Sequence, residues 1–194
     1  GIETHQELLQ FIIDDNLGKF QDFLSKTNTD INLTIKVETL FINHAMASLL
    51  ELASLFGSVK IFKFLLLREA TITSSLPYFV LAGGNYELIH ICESQNIQLT
   101  EFDAVSYAIQ YWHNDIVEYL APSSFDVLPI SAKYYNLELL FKSVKEVPKN
   151  MKSRYLCYDD FRLACFHASE CAYLESVRIL CDIEPLIVEK CDYY

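Results

Sequence analysis

Apolar residues return three and four positions apart in short bursts along this chain. In Ser48-Leu49-Leu50-Glu51-Leu52-Ala53-Ser54-Leu55-Phe56-Gly57-Ser58-Val59-Lys60-Ile61-Phe62-Lys63-Phe64-Leu65-Leu66 two such bursts flank a glycine. The spacing predicts two amphipathic helices of about two turns each, with one buried face apiece, hinged at Gly57. Counted from that hinge, the second helix buries Ile61, Phe62, Leu65 and Leu66. The same offsets from Gly84 select Leu88, Ile89 and Cys92. From Trp112 they select Ile116, Val117 and Leu120, and from Tyr135 Leu139, Leu140 and Val144. From Ala172 they select Ser176, Val177, Leu180 and Cys181, and an earlier unit centres on Asp15 with Phe20, Phe23 and Leu24.

Five to six helix-turn-helix units are therefore expected, at 8–26, 46–70, 76–97, 102–121, 126–146 and 160–182, with a partial unit over 183–194. Residues 1 to 7 read as a lead-in, and an insertion opened at 147–150 leads to the last pair, starting at Asp160. Four positions before each hinge stand Phe11, Ala53, Val80, Ala108, Ser131 and Ala168. Most are small, which lets neighbouring helices approach closely. Glycine adopts positive φ at no steric cost. The Asp, Trp, Tyr and Ala at four of the hinges therefore predict a different turn there, or a hinge shifted by one residue. Asn28 to Leu33 reads as a turn and a short extended finger, and no β-sheet layer is expected. Pro77 suits a helix start, while Ala121-Pro122-Ser123-Ser124 and Val147-Pro148-Lys149-Asn150 break the chain.

A chain that repeats one helical hairpin stacks into a solenoid, which offers a surface rather than a catalytic pocket. The pattern resembles the ankyrin repeat. Ser48-Leu49-Leu50-Glu51-Leu52-Ala53 sits at that family's Thr-Pro-Leu-His-x-Ala motif, Gly57 at its hinge, Leu65-Leu66 at its Leu-Leu and Glu69-Ala70 at its closing Gly-Ala. Gly83 to Ile89 and His113 to Leu120 look like second-helix openings. The likeness covers about residues 8 to 182, is strongest over 46–121, and is similar to a divergent branch, a domain of unknown function in ankyrin-like families of some protists. It implies an all-α solenoid with short or missing β-fingers, and a single domain over 1–194. The departures are a short period, the missing Pro, Glu51 in place of the His, and the replaced hinge glycines.

Composition adds constraints. The 194 residues are 52% apolar and 21% charged, with 13 Phe and 12 Tyr, enough to bury a substantial core and unlike a disordered chain. A net charge of -11 argues against a nucleic-acid surface, which needs clustered cations. It favours a neutral or basic protein partner. No apolar run is long enough to span a membrane, and no secretory signal is visible. The chain starts at Gly1 without a Met, which suggests a fragment or a tag remnant. The tail Ile183 to Val188 is still apolar, so the array either continues past Tyr194 or the tail packs back on the last unit. Cys92, Cys157, Cys165, Cys171, Cys181 and Cys191 contain no Cys-x-x-Cys pair. They are expected to be reduced in a cytoplasmic protein, the rival being disulfides in a secreted one.

Candidate chemistry is thin. His167 and Cys171 share a helix face at i and i+4. With Cys165 they form the alternative to a binding role, a metal- or thiol-dependent module, though no nucleophile motif surrounds them and the spacing suits no standard zinc fold. Gly83-Gly84 before a helix is a weak phosphate cradle, better explained as the interhelix turn. His113 falls near a helix start, which disfavours a positive charge. No catalytic residue, metal or cofactor is expected. The family docks partners on its concave side, which projects here onto the two residues before each hinge: Leu55 and Phe56, Ala82 and Gly83, Gln110 and Tyr111, Lys133 and Tyr134, Glu170 and Cys171. Phe56, Tyr111 and Tyr134 would make an aromatic row, the residue type enriched in interface hot spots. The expected function is a non-catalytic protein-interaction scaffold. Its partner and its oligomeric state are left open by the sequence.

Overall fold

The structure, a computed structural model, describes residues 2–36, 46–100, 102–120, 124–146, 154–171 and 173–183. Among them lie twelve α-helices and two short strands. The chain divides into two compact units, 1–99 and 100–194.

The first unit runs α1 (Ile2–Ile13), α2 (Leu17–Thr27), β1 (Thr34–Lys36), β2 (Met46–Ser48), α3 (Leu49–Leu55), α4 (Val59–Leu67), α5 (Leu76–Gly83) and α6 (Tyr86–Ser94). Each odd-numbered helix packs on the next in sequence. In addition α1 packs on α3 and α3 on α5, while α2 packs on α4 and α4 on α6. Leu8, Ile12, Phe20, Leu49, Leu52, Ile61, Phe62, Leu65, Phe79, Leu88 and Ile89 fill the space between them and are buried. At about 1.5–3 kcal/mol for each large side chain withdrawn from water, this burial dominates the stability of helices too short to persist alone. The helix α1 begins at Ile2 rather than Leu8, so the expected lead-in is helical.

A capping box starts α3. The Ser48 hydroxyl accepts from the Glu51 N–H at 3.2 Å, and the Glu51 carboxylate accepts from the Ser48 N–H at 2.7 Å. Such a cap is worth about 1 kcal/mol. Glu51 is 4% exposed, and its other oxygen accepts from the Thr73 hydroxyl at 2.7 Å and the Ser75 hydroxyl at 2.5 Å, both ahead of α5. The residue that departs from the ankyrin motif thus bonds one hairpin to the next. Pro77 lies in the first turn of α5. Where no sheet was expected, β1 and β2 pair antiparallel, Ile35 opposite Ala47. Both residues are buried while Thr34, Lys36 and Met46 are exposed, a period of two that covers one edge of the core.

The second unit runs α7 (Phe102–Gln110), α8 (Asn114–Leu120), α9 (Ser124–Lys133), α10 (Leu137–Glu146), α11 (Arg154–Glu170) and α12 (Leu174–Ile183). The pairs α7/α8, α9/α10 and α11/α12 pack within themselves, and α9 lies against both α7 and α11. Leu128, Ala132, Leu140, Ala164, Cys165, Ala168 and Leu180 form one buried cluster. Three alanines in it let α9 and α11 approach closely. The helix α11 starts at Arg154, earlier than the expected Asp160. Of the break read at 121–124, Ser124 opens α9, while 121–123, the break at 147–150 and the hinge at Ala172 lie outside the described residues.

The hinges correct the sequence expectation most. Asp15, Gly57, Gly84, Trp112 and Tyr135 all take the left-handed conformation, with φ of 46°, 67°, 66°, 64° and 57°. The bulky residues make the same turn as the glycines, unshifted. Hydrogen bonding shows why. The N–H of the residue after the hinge returns to the carbonyl five residues earlier: Asn16 to Phe11 at 2.9 Å, Ser58 to Ala53 at 2.8 Å, His113 to Ala108 at 2.9 Å, Asn136 to Ser131 at 2.8 Å. Tyr173 to Ala168, at 2.8 Å, continues the series. This is the Schellman closure, and it satisfies carbonyls that a helix end otherwise leaves open. At Gly84 the N–H returns to Val80 at 3.1 Å, the simpler left-handed cap. The acceptors are the same column of mostly small residues read from the sequence.

Candidate functional site

The residues after the hinges fix where the proposed surface lies. In the second unit Asn136 is fully buried. Its side-chain N–H donates to the Ile109 carbonyl at 3.0 Å and to Asn114 Oδ1 at 2.8 Å, while its Oδ1 accepts from the Leu139 N–H at 3.3 Å. One side chain therefore caps α10 and ties its hinge to the hinge between α7 and α8. Gln110 closes α7 with Tyr111 just after it, and Lys133 closes α9 with Tyr134 just after it, on two helices that pack on each other. All four are half-buried. The Lys133 ammonium stands 5.3 Å from the centre of the Tyr134 ring, a cation–π contact that holds both side chains. Burial, and then the neighbouring Tyr107, raise the Tyr111 hydroxyl above its usual pKa, so it is a neutral donor at physiological pH. Next to it, Trp112 is 51% exposed.

In the first unit the same positions hold Leu55, half-buried, and Phe56, exposed. The hinges here are locked by comparable bonds. Ser58 donates its hydroxyl to the Ile12 carbonyl. That leaves α4 without a cap from its own N-cap residue, and the Asp15 carboxylate supplies one, accepting from Lys60 and Ile61 N–H groups at 3.1 and 3.0 Å. The Asn85 amide donates to the Gly57 carbonyl at 3.4 Å and caps α6 through Glu87 and Leu88. The Gly83-Gly84 pair is consumed by this turn. A Cβ on Gly83 would stand 2.2 Å from the Ser54 carbonyl oxygen, so no side chain fits the row there. Phe56 belongs to the first unit, and Tyr111 and Tyr134 to the second.

The thiol and imidazole candidates do not converge. Cys165 is buried in the α9–α11 cluster and Cys171 is exposed. His167 Nδ1 lies 3.3 Å from Glu170 Oε2 and its ring lies against Phe166, rather than pairing with Cys171. Among the described residues no group of three or more His, Cys, Asp or Glu side chains stands where it would hold a metal ion. Cys92 is fully buried. Burial, with Glu93 adding to it, pushes its thiol up to about 12, which makes it an inert core residue. An open cleft of about 500 Å³ lies along α2 and α4, lined by Gln21, Asp22, Ser25, Thr29, Phe64 and Arg68 among others. There Arg68 lies over the Phe64 ring at 5.3 Å and is exposed. No described helix is long and apolar enough to cross a membrane.

Sequence reasoning missed the Asn16, Asn85 and Asn136 column and the Ser48–Glu51 box. Both carry signals legible in the chain: an Asn directly before a helical burst, and Ser-x-x-Glu before an apolar run.

A protein-family model described as a domain of unknown function (DUF3447) matches residues 68–143. That span runs from the end of α4 into α10 and includes Gln110, Tyr111, Lys133, Tyr134 and Asn136. No curated protein matches the chain.

Proposed function

We propose that this chain is an ankyrin-like solenoid of helical hairpins that works as a non-catalytic protein-interaction scaffold. The observation that carries the reading is the recurrent hinge. One left-handed residue, one Schellman or left-handed closure and one side chain reaching back to the preceding hinge recur across both units. Hairpins that bond in this manner to their neighbours suit a quasi-one-dimensional array. A surface built on such an array is held rigid, so little ordering entropy is lost on docking.

The binding face in this reading is the pair of residues before each hinge. Tyr111, Tyr134, Gln110 and Lys133 carry it in the second unit, and Leu55 and Phe56 in the first. The partner is a protein of neutral or basic charge, given the net charge of -11. A cytoplasmic setting fits the free thiols of Cys92, Cys171 and Cys181.

The test is affinity capture from the native cell with wild type beside the Tyr111→Ala/Tyr134→Ala variant. Loss of a protein that wild type retains, at least tenfold by quantitative mass spectrometry, with the melting midpoint lowered by no more than about 4 °C, supports the reading. Equal capture by both proteins, or an unfolded variant, removes Tyr111 and Tyr134 from the surface.

A further inference from the structure

The cleft along α2 and α4 holds two opposite charges that do not meet. Asp22 stands on α2, and Arg68 closes α4 at the end away from the Gly57 hinge. Both line the cleft and both are exposed. No ion pair joins them, and neither pairs with another charge among the described residues. The neighbouring Gln21 amide is also without a hydrogen-bond partner among the described residues.

The groups around these charges are held in place. The Arg68 guanidinium lies over the Phe64 ring, and that ring meets the fully buried Phe20 edge-on at 6.1 Å. The Arg68 N–H returns to the Phe64 carbonyl at 3.0 Å. On the α2 side the Ser25 hydroxyl donates to the Asp22 carbonyl at 2.9 Å, and the Thr29 hydroxyl shares a 2.6 Å bond with that of Thr27. These hydroxyls are engaged locally, which leaves Arg68, Asp22 and Gln21 as the polar groups open to a ligand. Leu24, Ile31 and Phe64, buried or half-buried, supply the apolar part of the lining.

Each feature narrows the ligand. A planar guanidinium stacked on a ring suits a carboxylate, which it can hold through two parallel bonds. Asp22 in the same cleft repels further negative charge, so a phosphate or a polyanion is disfavoured. A carboxylate and an apolar side chain on one Cα are the chemistry of a chain end, whereas an internal aspartate or glutamate spends its only side chain on the charge. The amide groups of such an end find an acceptor in Asp22 and both functions in Gln21. A volume of about 500 Å³ is that of a small-ligand site, enough for roughly the last two or three residues of an extended segment.

We infer that this cleft binds the carboxyl terminus of a partner protein, with the terminal carboxylate on Arg68, the terminal apolar side chain on Phe64, Leu24 and Ile31, and the last backbone amides on Asp22 and Gln21. The inference makes no use of the row before the hinges, so the Tyr111/Tyr134 capture test and the test below fail independently.

The experiment titrates the isotope-labelled full chain with a hexapeptide mixture ending in leucine, once as the free acid and once amidated, and follows it by nuclear magnetic resonance. The free acid should give saturable shifts at Gln21, Asp22, Ser25, Phe64 and Arg68, with a dissociation constant of about 1 mM or lower. The amidated mixture should bind at least about tenfold more weakly, and so should Arg68→Gln with the free acid. Arg68 is exposed, so that variant should melt within about 2 °C of wild type, and the amidated arm reads the carboxylate without any substitution. A hexapeptide ending in amidated phosphoserine should bind wild type no better than the amidated mixture, and Asp22→Asn should improve its binding. No saturable shift up to about 10 mM peptide, equal binding of acid and amide, or free leucine binding as tightly as the peptides would overturn the inference. So would tighter binding of the phosphoserine peptide at the same residues, which would give the cleft to a phosphate group.

Discussion

Glu69 offers the cleanest test of the turn chemistry. It follows α4 at φ 60°, its side chain is exposed, and no described side chain depends on it. A non-glycine residue in the left-handed region costs about 1–2 kcal/mol, and a carboxylate at a helix C-terminus costs about 0.3–1 kcal/mol more. Glycine removes both terms but loosens the unfolded chain, which offsets about 0.4–1 kcal/mol. The closing bonds from Glu69 to Leu66 and from Ala70 to Leu65, both 3.0 Å, are backbone bonds and survive the change. Glu69→Gly should therefore stabilise the protein by about 1 kcal/mol, raising the melting midpoint by roughly 2–4 °C. The reverse change at Gly57, at φ 67° and with a Cβ placed 3.2 Å from Asn85 Nδ2, should destabilise by about the same amount. Urea titration followed by circular dichroism, with equal m-values required, reads both. A Glu69→Gly variant less stable than wild type, or a Gly57→Ala variant equal to it, would refute the reasoning.

Further predictions concern the contacts between hairpins. Gly83→Ala places a Cβ 2.2 Å from the Ser54 carbonyl and 2.9 Å from that of Leu55. Backbone on both sides cannot yield cheaply, so a loss of about 1–3 kcal/mol in urea titration is expected, and an unchanged midpoint would mean that α3 and α5 do not approach this closely. Asn136→Ala removes two donors and an acceptor from a fully buried site and should cost about 2–3 kcal/mol, with Asn136→Asp no better because it lacks the donors. For Cys92, the unfolded thiol titrates near 9.0 and the folded one near 12, so the native state holds the proton longer. The contribution is present in full below pH 9 and is lost as pH rises toward 12, by up to about 1.4 kcal/mol per unit. Wild type should therefore lose stability faster than Cys92→Ala across that window, and parallel slopes would contradict the burial. At neutral pH Cys92 should resist alkylation while Cys171 reacts.

Much of the helical framework was legible because each second helix shows its buried face at fixed offsets from a hinge. Ile61, Phe62 and Leu65, or Leu88, Ile89 and Cys92, are apolar for one reason, burial, and that reason leaves a periodic trace. The hinge residue leaves almost none. Its left-handed angle costs a Trp or Tyr only about 1–2 kcal/mol, a sum the closing backbone bonds and the burial of flanking helices outweigh. Trp112 and Tyr135 thus make the turn that glycine makes, and their size misled the reading. Glu51 looked like a departure when matched against a His. Read locally, Ser48-x-x-Glu51 was a cap, and only the fold shows its second role toward Thr73 and Ser75. The β1–β2 ribbon was hidden because three-residue strands are too short for alternation to stand out. The candidate row was legible as a register, but Gly83 interrupts it for a reason no sequence pattern carries, the nearness of another helix's carbonyl.

The measurement that tests the central claim most directly is the backbone conformation at the hinges, from nuclear magnetic resonance chemical shifts and intraresidue amide-to-α-proton Overhauser effects. The account predicts positive φ at Asp15, Gly57, Gly84, Trp112 and Tyr135 alike, with the amides of Asn16, Ser58, His113 and Asn136 protected from exchange by the closing bonds. Negative φ at Trp112 and Tyr135, with rapid exchange at His113 and Asn136, would mean that these hairpins are not copies of one unit and would contradict it.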